Sequence, residues 1–224
     1  MTEKFENEQK IRNWRSSVES SGCTVRSLES ISQIRKKDGT LLFALLDADV
    51  VSPEGNKLPH VVFVRGHACV IVPLLRNRDT GEERYLMVNQ RRIGNGHMSL
   101  EFPAGMLDED SDAANVAVQE LKEETGLEIN RNELIPLTDK MLYSTAGACD
   151  EAIFYFGVRK EISDTVYRTF LNRRGGCAHE QEYISTSLET REEAEKRATS
   201  LQVRLGFFLF DQYLRKTADW SYLK

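Results

Sequence analysis

The sequence predicts an α+β fold. A small β-rich domain over residues 1–58 precedes a larger domain over residues 59–224, built on a mixed sheet with helices. Three observations predict it. Apolar, β-branched runs of strand length recur at 41–51, 61–65, 68–75 and 85–89, each bounded by turn residues. A single helical pattern crowded with glutamates stands mid-chain, between Asp112 and Gly126. Two further helical patterns, 188–198 and 203–216, close the chain.

Composition narrows the class. With 224 residues, 40% of them hydrophobic, the chain can bury a sizeable core, and about one to two domains is the prior. The net charge is −5, and no basic stripe with interleaved aromatics is present. That argues against a nucleic-acid polymer as partner but not against a small nucleotide. No apolar run reaches the roughly 18 residues of a membrane span. The opening Met-Thr-Glu-Lys-Phe-Glu-Asn-Glu lacks an apolar signal core, and the closing Ser-Tyr-Leu-Lys is not a peroxisomal ending. Cys23, Cys69, Cys149 and Cys177 are scattered, without metal-ligand spacing. Reduced thiols in a cytoplasmic protein are the expectation.

In chain order, Phe5, Ile11, Trp14 and Val18 recur roughly every three to four residues, which predicts an amphipathic helix over 3–21. Residues 23–34 read as a strand. Lys37-Asp38-Gly39 is a hairpin turn, because Asp-Gly tolerates positive φ. Ser52-Pro-Glu-Gly-Asn56 is a second turn. The strand at 85–89 ends in Gln90-Arg91-Arg92, and two adjacent arginines there can grip phosphates or stand as a surface pair. Residues 99–102 form a short strand before Pro103-Ala104-Gly105. Ser111 or Asp112 can cap the glutamate-rich helix, and Gly126 sits where it ends with positive φ. Residues 134–142 are a predicted strand, 144–149 a loop of small residues, and 151–159 an aromatic-rich strand. Residues 160–181 read as irregular, with a short strand starting at 180–184.

The chemistry sits on the mid-chain helix. Glu120, Glu123 and Glu124 fall at i, i+3 and i+4, on one face, where three carboxylates repel each other. A hard divalent cation with oxygen ligands would resolve that repulsion. A solvated acidic face is the plainer alternative.

The spacing around the glutamates resembles the Nudix box, G-x5-E-x7-R-E-U-x-E-E-x-G-U, with U a bulky aliphatic residue. Gly105, Glu120, Leu121, Glu123, Glu124, Gly126 and Leu127 match. Ser111 stands in place of the box Glu and Gln119 in place of the box Arg. The resemblance implies a Nudix α/β/α sandwich with a mixed sheet. It also implies hydrolysis of a diphosphate linked to another moiety, with Mg²⁺ (or Mn²⁺) held by Glu120, Glu123, Glu124 and the carbonyl of Ala104.

The order of strand, arginine pair, Glu101-Phe-Pro-Ala-Gly105, box and late Glu-x-Glu-x-Ile is similar to the ADP-ribose and ADP-sugar pyrophosphatases. That likeness implies a general base on a late loop, matched here by Glu180 and Glu182. It assigns Arg91 and Arg92 to the phosphates and Glu151, after Cys149-Asp150, to the sugar or metal. It also implies a homodimer through residues 1–58. The implied reaction turns an ADP-sugar such as ADP-ribose into AMP and a sugar phosphate. A UDP-sugar or a dinucleotide such as NADH is the alternative substrate. Gln119 and Ser111 keep open a catalytically weak Nudix domain that binds a nucleotide or a protein.

Overall fold

The computed structural model describes residues 5–107, 112–171, 173–175 and 183–217. Five helices and twelve strands follow one another among these residues. They are α1 (Gln9–Ser20), β1 (Thr24–Arg35), β2 (Leu41–Val51), β3 (Val61–Val64), β4 (Ala68–Asn77), β5 (Glu83–Arg91), β6 (Met98–Glu101), β7 (Ala104–Met106) and α2 (Ala113–Thr125). After these come β8 (Ile135–Pro136), β9 (Leu142–Tyr143), β10 (Ala152–Ile162), α3 (Asp164–Thr169), β11 (Arg174–Gly175), β12 (Ile184–Glu189), α4 (Arg191–Arg197) and α5 (Leu201–Lys216).

The chain divides into two compact units. The first comprises Met1–Ala68, Met106–Asp110 and Leu142–Ile153; the second comprises Cys69–Gly105, Ser111–Met141 and Phe154–Lys224. Residues 59–68 thus group with the N-terminal strands.

In the first unit, β1, β2 and β3 form an antiparallel sheet in that order. Asp38 makes the predicted turn between β1 and β2: its Oδ1 accepts from the Thr40 amide at 2.9 Å and the Thr40 hydroxyl at 2.7 Å. Phe5, Ile11 and Trp14 at the N-terminal helix pack with Val25, Leu28, Leu41, Ala44 and Leu46. Burying such side chains contributes about 1.5–3 kcal/mol each. Lys10 donates to the carbonyls of Leu42 (2.9 Å) and Arg65 (3.1 Å), which satisfies its buried ammonium.

The second unit is organised on the strand path β11-β12-β5-β4-β10-β8, with β6 paired to β5 and β7 to β4; in the first unit, β9 pairs with Ala152 and Ile153 at the start of β10. The α+β class is the one the sequence predicts. Every residue of β4 but one is buried, matching its unbroken apolar run. Tyr85, Phe102 and Phe207 meet edge-on, with ring centroids 4.8 Å apart for Tyr85–Phe207 and 4.9 Å for Phe102–Phe207. Each such pair contributes about 0.5–1.5 kcal/mol beyond area burial.

Three local expectations are corrected. The strand expected over 134–142 is two short pieces, β8 and β9, after a 3₁₀ turn at Arg131–Glu133, because Pro136 and Asp139-Lys140 interrupt the pattern. Residues 160–181 are not wholly irregular: β10 runs to Ile162, and α3 and β11 follow. The helix expected from Leu188 starts later, because β12 runs to Glu189. Thr190 then makes a capping box with Glu193, which opens α4.

Candidate active site

The box helix is set at both ends by its own sequence. Asp112 caps it, accepting from the amides of Ala114 at 3.0 Å and Asn115 at 3.1 Å. Arg131 pairs with the same carboxylate at 2.8 Å and holds its pKa below the usual value. Gly126 ends the helix at φ 76°, and its amide reaches the Lys122 carbonyl at 2.8 Å. Ala117 and Leu121 are fully buried, which fixes the helix's rotation.

That rotation sends two glutamates toward Ala104-Gly105. Glu124 is buried, and its Oε2 accepts from the Ala104 amide at 3.1 Å. The Glu120 side chain occupies the space beside Gly105 so closely that a Cβ on residue 105 would strike its Cγ, Cδ and Oε1. Cys69, fully buried, reports the same convergence. Burial pushes its thiol up to about 12, and the charges of Glu120 and Glu124 push it the same way.

Glu123 is the outlying member. It is exposed, and its Oε1 accepts from Gln119 Nε2 at 2.9 Å. Gln119 therefore keeps a hydrogen bond where the box Arg would bring a charge. Among the described residues, no three His, Cys, Asp or Glu side chains stand close enough to hold a metal ion as a group. The donor set nevertheless fits a hard cation. Two carboxylates bear on the Ala104-Gly105 backbone, where Glu120 fills the space that the glycine leaves, and Glu123 lies a turn away on the same helix.

The other predicted residues are placed separately. Arg92 makes a forked pair with Glu101, with Nη2 2.7 Å and Nε 3.1 Å from its oxygens, while Arg91 Nη1 donates to the Gly96 carbonyl at 2.6 Å. In the first unit, Glu151 is buried. Its Oε1 pairs with Arg65 at 2.8 Å and its Oε2 accepts from the Ser144 hydroxyl at 2.6 Å. The neighbouring Asp150 accepts from the Arg65 amide at 2.8 Å, and burial raises its pKa. Glu180, Glu182 and Ser111 lie outside the described residues.

Sequence reasoning missed Arg173. Its guanidinium lies against Gly126, where a Cβ would strike Cζ and both terminal nitrogens. No local motif announces a contact that spans 47 positions of chain; only the docking of β11 on the end of α2 reveals it.

The NUDIX domain profile matches residues 65–168. Those residues carry a NUDIX domain. An Arabidopsis thaliana protein, "Nudix hydrolase 14, chloroplastic", is 27% identical over 224 aligned residues, taking in 92% of this chain and 71% of that protein. A solved structure, "Crystal structure of ADP compounds hydrolase", superposes with a TM-score of 0.61 at 16% identity, covering 87% of this chain and 95% of that one. At that identity the likeness speaks for the fold, and the fold is that of a Nudix protein. Nudix hydrolases generally work with divalent cations such as Mg²⁺ on small molecules. Among the described residues, no helix is long and apolar enough to cross a membrane.

Proposed function

We propose that this Nudix chain hydrolyses the diphosphate bond of a nucleoside diphosphate sugar, with an ADP-sugar such as ADP-ribose as substrate and AMP and a sugar phosphate as products. The observation that carries the reading is the convergence of Glu120 and Glu124 on Ala104-Gly105. A diphosphate repels an attacking hydroxide, so its hydrolysis needs concentrated positive charge and a base. A divalent cation such as Mg²⁺, when bound, neutralises phosphate charge and acidifies a water. Glu120, Glu124 and the Ala104 carbonyl would hold it, with Glu123 as a further ligand. Arg91 and Arg92 bring cationic side chains to the end of β5, for the phosphates. Glu180 takes the proton of the attacking water, with Glu182 as its partner. The solved ADP compounds hydrolase of like fold supports the choice of nucleotide.

The N-terminal sheet supports a homodimer. Ile31, Ile34, Val61 and Phe63 are 54%, 53%, 40% and 36% exposed on β1 and β3, an apolar group that a second copy would cover. Cys23, Cys69 and Cys149 are free thiols, which suits a reducing compartment such as the cytoplasm.

A second reading is favoured by one observation: Glu123 receives an uncharged donor, Gln119, where the box Arg would bring a positive charge, which suits a domain that binds a nucleotide without turning it over. One assay separates them. ADP-ribose, ADP-glucose, UDP-glucose, NADH and a nucleoside triphosphate are incubated with Mg²⁺ or chelator, and AMP and phosphate are measured. AMP from ADP-sugars only with metal supports the proposal; no turnover of any compound supports the binding domain.

A further inference from the structure

We infer that Arg173 is a substrate-binding residue, a guanidinium that takes a phosphate oxygen of the diphosphate beside the box helix. The inference rests on the reading of this chain as a diphosphate hydrolase.

Its seat is built by two glycines. Gly126, at φ 76°, leaves the room that Cζ and both terminal nitrogens of Arg173 occupy. Gly175, two residues on, lies against the Glu124 carbonyl so closely that any Cβ would strike that backbone oxygen. The Arg173 carbonyl accepts from the Thr186 amide at 2.8 Å, which ties the same residue to β12. Gly126 ends the helix that carries Glu123, a metal-ligand candidate, so the guanidinium lies at the C-terminal end of that helix.

Some arginines elsewhere in this unit are paired with carboxylates, Arg131 with Asp112 at 2.8 Å and Arg168 with Asp164 at 2.6 Å. Arg173 is exposed and makes no ion pair with any described residue. The negative end of the helix dipole favours a cation there, so the arginine keeps its place without an acidic partner. Orienting Glu123 is a task that Gln119 already performs with an uncharged donor. A planar fork of donors left over beside a metal-binding carboxylate set matches a phosphate oxygen pair.

The sign of the effect tests the idea. A cation at the end of the box helix opposes metal binding by its carboxylates and favours anion binding, so removing it moves the two affinities apart. A clamp that merely holds the helix would, when removed, weaken both. The full-length chain and its Arg173→Ala and Arg173→Lys variants are compared by Mn²⁺ binding in paramagnetic resonance, by calorimetric binding of inorganic pyrophosphate at saturating Mg²⁺, and by thermal unfolding. The expected result for Arg173→Ala is about tenfold weaker pyrophosphate binding with Mn²⁺ affinity equal or tighter. Lys should recover part of the loss. Equal pyrophosphate binding by Arg173→Ala, parallel weakening of both ligands, or no pyrophosphate binding by the unaltered chain overturns the inference. Pyrophosphate carries no nucleoside, so binding of it without turnover of any ADP-sugar sinks the proposed substrate and leaves Arg173 to be judged by its own variants.

Discussion

The Glu120 side chain lies across the α-carbon of Gly105, in the space that any other residue's Cβ would need. The box glycine is therefore a matter of room beside a carboxylate rather than of an unusual φ. Gly105→Ala would push Glu120 at its Cγ, close to the helix backbone, where the side chain has little freedom to yield. The expected outcome is a loss of about 1–3 kcal/mol in unfolding free energy from overpacking, with Mn²⁺ affinity falling about tenfold or more. Thermal unfolding and paramagnetic resonance on one preparation measure both. Unchanged Mn²⁺ affinity would remove Glu120 from the metal site.

Glu124→Gln separates charge from shape. The side-chain carbonyl of Gln can still accept from the Ala104 amide, a contact of 3.1 Å, so folding stability should stay within about 1 kcal/mol. Metal affinity should drop about tenfold and hydrolysis about a hundredfold, because a neutral amide is a poorer ligand for a hard cation. A variant that keeps full Mg²⁺ affinity would refute the assignment of Glu124 as a ligand.

Gln119→Arg restores the box charge at a contact that already exists, 2.9 Å from Glu123. The acceptor there is already a carboxylate; the guanidinium adds a formal positive charge and a fork of donors that can hold both of its oxygens. Turnover of the best substrate should rise about threefold to tenfold with little change in KM. A flat kcat would mean that the uncharged Gln119 donor already orients Glu123 adequately.

Much of this was legible because it is local. The box helix carries its own start, Asp112, and stop, Gly126, and both perform those roles in the fold. The unbroken apolar run of β4 announced a buried strand. What stayed hidden depends on contacts between distant segments. The Arg173 seat on Gly126 is of that kind, and so is the Arg65–Glu151 pair, which joins residues 86 positions apart. The boundary between β12 and α4 was misplaced because Leu188 suits either element, and only the Thr190 cap decides it.

Cys69 should resist alkylation while the chain is folded. Thiolate is the reacting form, and a pKa pushed up to about 12 leaves almost none of it at neutral pH. The linkage has a definite sign. The folded state favours the thiol, so this residue supports folding below the ordinary thiol pKa, about 8.5, and that support is lost as pH climbs toward 12. Iodoacetamide at pH 8, followed by peptide mass analysis, should label Cys23 well before Cys69, and urea should abolish the difference. Rapid native labelling of Cys69 would mean that the β4 core opens readily.

Glu151→Gln decides between structure and substrate for a carboxylate assigned to the sugar or metal. Both of its oxygens are engaged internally, by Arg65 at 2.8 Å and Ser144 at 2.6 Å, and only 12% of its side chain is exposed. Neutralising it leaves the Arg65 guanidinium, itself 31% exposed, without its counter-charge. Because Arg65 keeps some water, the cost should fall below that of breaking a fully buried pair, at about 1–3 kcal/mol. If Glu151 serves the fold alone, unfolding should shift while KM and Mn²⁺ affinity hold at temperatures well below the transition. If it also lines the substrate site, KM should rise even where the variant is fully folded. Arg65→Met makes the control: it removes the same pair from the other side and leaves the more deeply buried Glu151 without its counter-charge, so a purely structural pair predicts the larger stability loss in Arg65→Met and no KM change in either variant.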